Sequence, residues 1–422
     1  MLRVRVEGPT RGRHQIAGLL QSVAPELLSG ASDNDPTNVG TAAAVGAATT
    51  YQLAWLALLV APMLGVVQII AAHVGSVTRN DLQTLTLKRF GPRVAVTLLI
   101  SVVIVNVVTI AADLQAGAAG IGLLSGVDSR WLVVPLGLAL VGLLLVGKYK
   151  EVVGVLRYLL LGFLAFGVAA FLAHPDWSKV LRSSFVPTLS LHRDVVAGGL
   201  ALLGTTLTSY VYVWETIGRG TEEMPDATTG DLARAKLGAV IGAVFTAVIF
   251  WFMLVTSGAT FGQRHYAVTS AQEAAQALRP LAGSLATDLF AIGLVVSAVV
   301  ALPVVMATTA YVVGAQFDWR RGLSEPIHHA QGFYGVLAAS VGLAFGVTLA
   351  KLSVISMLVA ASVIGGFGTP IGLVILVLLA RDHTVMGTRL ISGRLAIAGW
   401  TVAIVIGGFG LLYVMGTVLG KF

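Results

Sequence analysis

The sequence predicts an all-α polytopic membrane protein with about eleven transmembrane helices. Of its 422 residues, 56% are hydrophobic and only 11% are charged, whereas soluble proteins carry roughly 25% charged residues. Its 49 glycines suit membrane helices, in which small residues allow backbones to approach one another closely. Eleven apolar segments reach the length of about 20 residues that a helix needs to cross a bilayer.

These spans leave little chain for a soluble domain, so residues 1–422 are predicted to form a single transmembrane domain. The longest loops are too short to fold independently; they cover 174–194, 218–235, 262–284 and 316–332. Segment 78–92 is predicted to form a short interfacial helix that is capped by Asn80 and ends at Gly91-Pro92. In chain order the predicted spans are 15–46, 52–77, 94–124, 131–147, 152–173, 195–217, 236–261, 285–315, 333–349, 353–380 and 395–418.

The distribution of basic residues predicts the orientation. If the N-terminus is cytoplasmic, 18 of the 27 Lys and Arg residues lie on the inside and 8 on the outside. This bias predicts a multi-pass plasma-membrane protein with its N-terminus in the cytoplasm and its C-terminus outside. The net charge of +7 then reflects cytoplasmic loops beside anionic lipid, and nucleic acid is not an expected partner. The sequence has no cysteine, which excludes disulfides and thiolate metal ligands.

A polar stretch interrupts the first span and predicts a cation site. Asp33 and Asp35 lie in an apolar segment, where ionisable side chains cost a few kcal/mol each and usually mark a substrate or ion pathway. Pro36 breaks the helix and frees carbonyl oxygens beside the two carboxylates. Asp35 and Asn38, three residues apart around the break, are the leading ligand candidates, with Thr37 between them. Alternatively, Asp35 caps the second half-helix, and Asp33 is either a second ligand or a structural residue.

A second polar stretch, Gly204–Glu215, interrupts the sixth span with hydroxyl groups. The first and sixth spans lie five apart, as equivalent members of two five-helix repeats should. Paired interrupted helices of this kind indicate a transporter binding site at the repeat interface. The predicted repeats cover 15–173 and 195–380, and 395–418 is an additional helix.

The sixth-span ligands are predicted to be backbone carbonyls and hydroxyls. The carbonyls of Thr206 and Leu207 and the side chains of Thr208 and Ser209 are the candidates, because unwound backbone in a transporter lines the cavity. Tyr210 is expected either to hydrogen-bond at the site or to gate it. Ordinary interhelical packing is the alternative for these hydroxyl groups.

Five further residues are candidates for coupling or gating. Asp113 lies midway along the third span and is expected to pair with Arg157 of the fifth span, either for coupling or as a structural ion pair. Glu215 is either interfacial or pathway-lining. Gly366 and Pro370 belong to a predicted helix break over 365–370, which is either a flexible kink or a hinge that occludes the site.

The first-span motif Asp35-Pro36-Thr37-Asn38 is similar to Asp-Pro-Gly-Asn of the NRAMP (natural resistance-associated macrophage protein) superfamily. Other stretches, at 74–82, 110–114 and 289–294, resemble the family at the corresponding spans, so the likeness runs from about residue 15 to 390. The resemblance implies a leucine-transporter-like fold of two inverted five-helix repeats with broken helices 1 and 6. It also implies transport of a divalent metal cation.

The chain departs from the typical family pattern at two places. Typical members carry Met-Pro-His in the sixth span, where this chain has Thr208-Ser209-Tyr210, and they carry a glutamate where this chain has Ala116. Thioethers favour soft ions, whereas oxygen ligands suit magnesium, calcium or manganese. The resemblance is therefore to divergent branches, which include magnesium and aluminium transporters, and it implies a hard cation moved without typical proton coupling.

The sequence thus predicts a transporter for a divalent cation, with magnesium or manganese favoured, working by alternating access. It is not expected to be an enzyme, since no phosphate-binding loop, nucleophile elbow or paired metal-binding histidines are present. No resident cofactor is expected, because the metal ion is the substrate. The expected partners are this ion and the lipid bilayer, and the protein is expected to be a monomer or weak oligomer. The alternatives are a carrier of an amino acid, amine or anion on the same fold, and a non-transporting membrane sensor.

Overall fold

The computed structural model describes residues 33–146, 163–188, 190–222, 229–262, 271–349 and 352–420. Over these ranges the regular secondary structure is helical, and they contain no β-strand. The all-α prediction is therefore confirmed.

Fifteen α-helices are found in the described ranges, and two π-helical turns, Gly218–Glu222 and Gly258–Gly262, extend α9 and α10. The helices are α1 (Pro36–Thr49), α2 (Ala54–Thr78), α3 (Leu82–Phe90), α4 (Pro92–Ser125), α5 (Ser129–Val146), α6 (Leu164–Leu172), α7 (Trp177–Phe185), α8 (Arg193–Thr206), α9 (Ser209–Ile217), α10 (Thr229–Ser257), α11 (Ala271–Gln316), α12 (Gln331–Thr348), α13 (Val354–Ala380), α14 (His383–Met386) and α15 (Gly393–Val418).

Nine helical stretches within the described residues are long and apolar enough to cross a membrane, and they match nine of the eleven predicted spans. The other two predicted spans, 15–46 and 152–173, lie partly outside the described residues, and the structure describes α1 and α6 from them. The loop predicted over 262–284 is wrong in part, because α11 begins at Ala271. That segment is too polar for a span but rich in alanine, which favours helix.

The predicted interruption of the sixth span is confirmed. α8 ends at Thr206 and α9 begins at Ser209. Between them Thr208 is extended, with φ −59° and ψ 150°, while the Leu207 amide still donates to the Leu203 carbonyl at 3.1 Å. Two residues therefore separate the half-helices at a buried position in the bundle.

The predicted helix break over 365–370 is wrong, because α13 continues through Gly366 and Pro370 from Val354 to Ala380. Glycine at this point instead allows α13 to contact α8. A β-carbon on Gly204 would lie 2.1 Å from the Ser362 carbonyl oxygen and 2.3 Å from the Gly366 amide nitrogen. The two backbones touch, as small residues permit in membrane helices. A gating role for Gly366 and Pro370 stays a prediction.

The interfacial helix predicted over 78–92 is α3, but its cap is Asp81 and not Asn80. The Asp81 carboxylate accepts the Thr84 amide at 2.8 Å. Its other oxygen accepts a hydrogen bond from Arg321, which follows α11, at 2.9 Å. The Leu82 amide donates to the Thr216 hydroxyl of α9 at 3.1 Å. Short α3 thus ties the ends of α9 and α11 together at one face of the bundle.

We expect Gly204→Ala to destabilise the protein by about 1–3 kcal/mol, the usual effect of overpacking, because its methyl group would overlap the α13 backbone. The unfolding midpoint of the purified protein in detergent measures this effect. Gly342→Ala in α12 is the matched control, since a β-carbon there meets no atom within 4 Å. Equal midpoints for the two variants would contradict the close α8–α13 contact.

Candidate cation site

α1 begins inside the first polar stretch because Asp35 caps its first turn. The Asp35 Oδ1 atom accepts the Asn38 amide at 3.0 Å and also accepts the Thr37 hydroxyl. Pro36 occupies the first helical position. A backbone N–H at that position makes no intrahelical hydrogen bond, so proline costs the helix nothing there. The capping alternative for Asp35 is therefore confirmed, while its role as a ligand stays a prediction.

Two side-chain contacts join α1 to the interrupted sixth span. The Tyr210 hydroxyl of α9 donates to the Asp35 Oδ2 atom at 3.1 Å. The Thr37 and Thr205 hydroxyl oxygens lie 2.7 Å apart, which links α1 to α8. All four side chains are buried. The fold thus brings together the two polar stretches that the sequence singled out.

Several buried polar atoms around this junction have no hydrogen-bond partner among the described residues. Buried polar atoms are nearly always satisfied, so a cluster of exceptions points to a bound ion or water. The atoms are both carboxylate oxygens of Asp33, the amide oxygen and nitrogen of Asn34, the amide oxygen of Asn38, both carboxylate oxygens of Asp113 and the hydroxyl of Ser209. With Asp35, these residues form what we call the candidate cation site.

Three carboxylates contribute to this site. Asp113 of α4 interacts electrostatically with Asp35 and with the backbone amide of Thr37. Asp33 also interacts electrostatically with Asp35, and the Tyr210 side chain interacts electrostatically with all three carboxylates. The ion pairs seen in the described part of the chain involve none of the three. A cation would therefore supply charge that the described side chains leave unbalanced.

The three carboxylates do not converge tightly. Within the described ranges, no group of three His, Cys, Asp or Glu side chains is arranged to hold one metal ion. A cation at this site would therefore need amide, hydroxyl, carbonyl or water oxygens among its ligands. Such a donor set suits hard ions, and magnesium in particular usually retains several waters.

The sixth-span candidates differ in what they can offer. The Thr206 hydroxyl donates to the Leu202 carbonyl of its own helix at 2.7 Å, and the Leu207 side chain lies in the hydrophobic core. Thr208 is buried. Ser209 carries the hydroxyl oxygen that lacks a partner in the described ranges. Of the four predicted ligands, Ser209 thus has its side chain free for a cation, whereas Leu207 offers only backbone groups.

Of the coupling and gating candidates, Asp113 belongs to the candidate cation site, whereas Glu215 and Gly366 lie elsewhere in the bundle and Arg157 lies outside the described residues. Glu215 is buried near the other end of α9, and its Oε1 atom lies 3.6 Å from the Arg219 Nε atom on the next turn. Arg157 lies outside the described residues, so its predicted pairing with Asp113 stays a prediction. Gly366 contacts α8 at Leu200, so the structure places it in a helix–helix contact.

Sequence reasoning missed two residues of this region. The predicted ligands do not include Asn34, although an amide in an apolar segment is itself a signal. They also do not include Thr205, whose hydroxyl contacts Thr37. The run of neighbouring hydroxyls does not reveal which one faces α1, since that depends on the rotation of α8 about its axis.

The family described as Natural resistance-associated macrophage protein-like matches residues 26–416. Among curated relatives, the divalent metal cation transporter MntH of Deinococcus radiodurans is 27% identical over 407 residues, covering 94% of this chain and 90% of the relative. MntH of Bacillus subtilis is 22% identical over 417 residues, covering 98% and 95%.

Solved structures support the fold at low sequence identity. A manganese transporter of Eremococcus coleocola, in complex with an aromatic bis-isothiourea substituted compound, superposes with a TM-score of 0.73 at 16% identity, covering 98% of this chain and 88% of that one. Mhp1, a nucleobase-cation-symport-1 family transporter, superposes with a TM-score of 0.62 at 13% identity, covering 94% and 89%. With a family match that spans nearly the whole chain, this protein belongs to the Natural resistance-associated macrophage protein-like family.

Proposed function

We propose that this protein carries a divalent metal cation across the plasma membrane by alternating access around the candidate cation site. The observation that carries the proposal is a cluster of buried oxygens where α1 meets the α8–α9 break, for which the described residues offer no hydrogen-bond partner. Intramembrane carboxylates mark ion pathways, and interrupted helices hold the substrate in transporters of this kind. The relatives named divalent metal cation transporters support the same substrate class.

Manganese and magnesium are the favoured ions. The candidate ligands are carboxylate, amide, hydroxyl and carbonyl oxygens, which suit hard cations. The stretch Thr208-Ser209-Tyr210 contains neither thioether nor imidazole. The solved neighbour named a manganese transporter favours manganese between the two.

Transport is proposed to proceed without typical proton coupling. Tyr210 and Ala116 stand where typical members carry an imidazole and a carboxylate, so two titratable groups are missing. Asp113 remains as the acidic residue of that region, and it is fully buried.

Asp35→Asn is expected to abolish manganese uptake into proteoliposomes, at least 100-fold below the wild-type rate. Asparagine retains an oxygen that caps α1, so the variant removes the charge and leaves the helix start intact. Uptake is measured with a manganese-quenched dye inside the vesicles.

The matched control for this experiment is Asp128→Asn, because Asp128 is an exposed aspartate in the loop between α4 and α5. It should transport like the wild type. Wild-type rates in Asp35→Asn would contradict the proposal. If the wild type moves neither manganese nor magnesium, and calorimetry finds no heat of binding for either, the fold serves a different solute or a sensor.

Manganese uptake is expected to carry no protons, because the imidazole and the second carboxylate are absent. A pH-sensitive dye inside the vesicles should report no change during uptake, and an acidic exterior should not drive uptake. Metal-dependent acidification of the lumen would refute this part of the proposal.

Asp113→Asn is expected to stabilise the metal-free protein while weakening its response to manganese. A buried polar group without a partner costs about 1–3 kcal/mol, and more when it is charged, so removing the charge should raise the unfolding midpoint. Added manganese should then raise that midpoint less than it does in the wild type. A lower midpoint for metal-free Asp113→Asn than for Asp128→Asn would show that the carboxylate has a stabilising partner.

A further inference from the structure

We propose that Tyr210 is not a cation ligand but an internal competitor that occupies Asp35 when no cation is bound. Its hydroxyl holds the Asp35 carboxylate, and a cation gains full access to Asp35 only when this hydrogen bond opens. The inference rests on the proposed function and assigns one residue of the same site a positioning role.

The hydrogen bonds of Asp35 carry the first step. Its Oδ1 atom already accepts the Thr37 hydroxyl and the Asn38 amide. Its Oδ2 atom accepts the Tyr210 hydroxyl at 3.1 Å. Both oxygens therefore face donor hydrogens, whose partial positive charge repels an approaching cation. An ionised carboxylate offers about four acceptor positions, so three donors leave little capacity for a metal ion.

In contrast to Asp35, the polar side chains next to it have acceptor positions that the described residues do not fill. Among the described residues, the carboxylate oxygens of Asp33 and the amide oxygen of Asn38 accept no hydrogen bond, and the Asp113 carboxylate has no donor besides the Thr37 backbone amide. A cation entering the site would thus find Asp33 and Asp113 ready to bind it and Asp35 occupied. Of the three donors to Asp35, the Thr37 and Asn38 groups belong to the α1 cap. The Tyr210 hydroxyl is the donor that comes from the interrupted sixth span.

The position of Tyr210 makes its hydrogen bond sensitive to helix movement. Tyr210 lies in the first turn of α9, directly after the break, and its side chain is fully buried in the hydrophobic core. The ring is thereby held in place by packing, so the bond to Asp35 breaks when α9 shifts relative to α1. Breaking it frees an Asp35 oxygen on the side that faces α9.

Tyr210→Phe tests the proposal because phenylalanine keeps the ring and deletes only the hydroxyl. With one Asp35 oxygen freed, the dissociation constant for manganese, measured by calorimetry on detergent-solubilised protein, should fall about 10-fold, which equals about 1.4 kcal/mol. If Tyr210 is instead a ligand of the cation, the same variant should bind manganese more weakly. Weaker or unchanged binding overturns the proposal.

Tyr212→Phe is the matched control. Tyr212 lies two residues further along α9, is equally buried, and donates its hydroxyl to the Thr369 carbonyl of α13 at 3.1 Å. Deleting this hydroxyl removes a buried hydrogen bond without touching Asp35, so the manganese dissociation constant should stay within 2-fold of wild type. If the manganese dissociation constant fell 10-fold in both variants, looser packing of α9, and not release of Asp35, would explain the tighter binding.

A second measurement tests the proposal independently of metal binding. The chain has no native cysteine, so Ser209→Cys introduces a single thiol beside Tyr210. The Tyr210–Asp35 hydrogen bond is one of the two side-chain contacts that join α1 to the sixth span, so its loss should let α9 move away from α1 and expose residue 209. A methanethiosulfonate reagent should therefore label this thiol several-fold faster when Tyr210→Phe is added, and no faster when Tyr212→Phe is added. Equal labelling rates overturn the proposal even if the wild type binds no divalent cation, whereas faster labelling without any cation binding would reject the proposed function alone.

Discussion

Burial of three carboxylates inside an apolar bundle is the constraint that shapes this protein. Asp33, Asp35 and Asp113 are each at most 1% exposed, and the ion pairs of the described chain involve none of them. An isolated ionised carboxylate in such surroundings is strongly unfavourable. Asp35 is compensated by three donors, while the oxygens of Asp33 and Asp113 lack hydrogen bonds within the described ranges. The fold therefore gathers buried carboxylate oxygens that a divalent cation could bind.

Two local backbone features shape the candidate cation site. Asp35 and Pro36 start α1 at a cap, and the extended residue Thr208 separates α8 from α9. The contact of Gly204 with the α13 backbone holds α8 against a continuous helix. The interrupted pair α8–α9 thus lies against the continuous helix α13. The opposite end of α9 is bound to α3 through Thr216.

Much of this architecture was predictable, because the hydropathy of each segment and the polar residues that interrupt it are properties of the local sequence. The spans followed from apolar length, and the α8–α9 interruption followed from a run of hydroxyls. The break predicted at Gly366 and Pro370 failed because glycine signals close packing as readily as a kink, and one chain alone does not distinguish them. The cap of α3 was misplaced by one residue, since Asn80 and Asp81 are both good caps.

The features that escaped prediction depend on three-dimensional placement. The choice of Thr205 over Thr206 as the partner of Thr37 follows from how α8 is rotated, and the saturation of Asp35 follows from where α9 packs. The central claim is that one cation lies where α1, α4 and the α8–α9 break meet. Anomalous diffraction from crystals soaked in manganese tests it most directly. A single peak within coordination distance of Asp33, Asp35 or Asp113 is predicted, whereas a fully occupied peak elsewhere, with none here, would contradict the account.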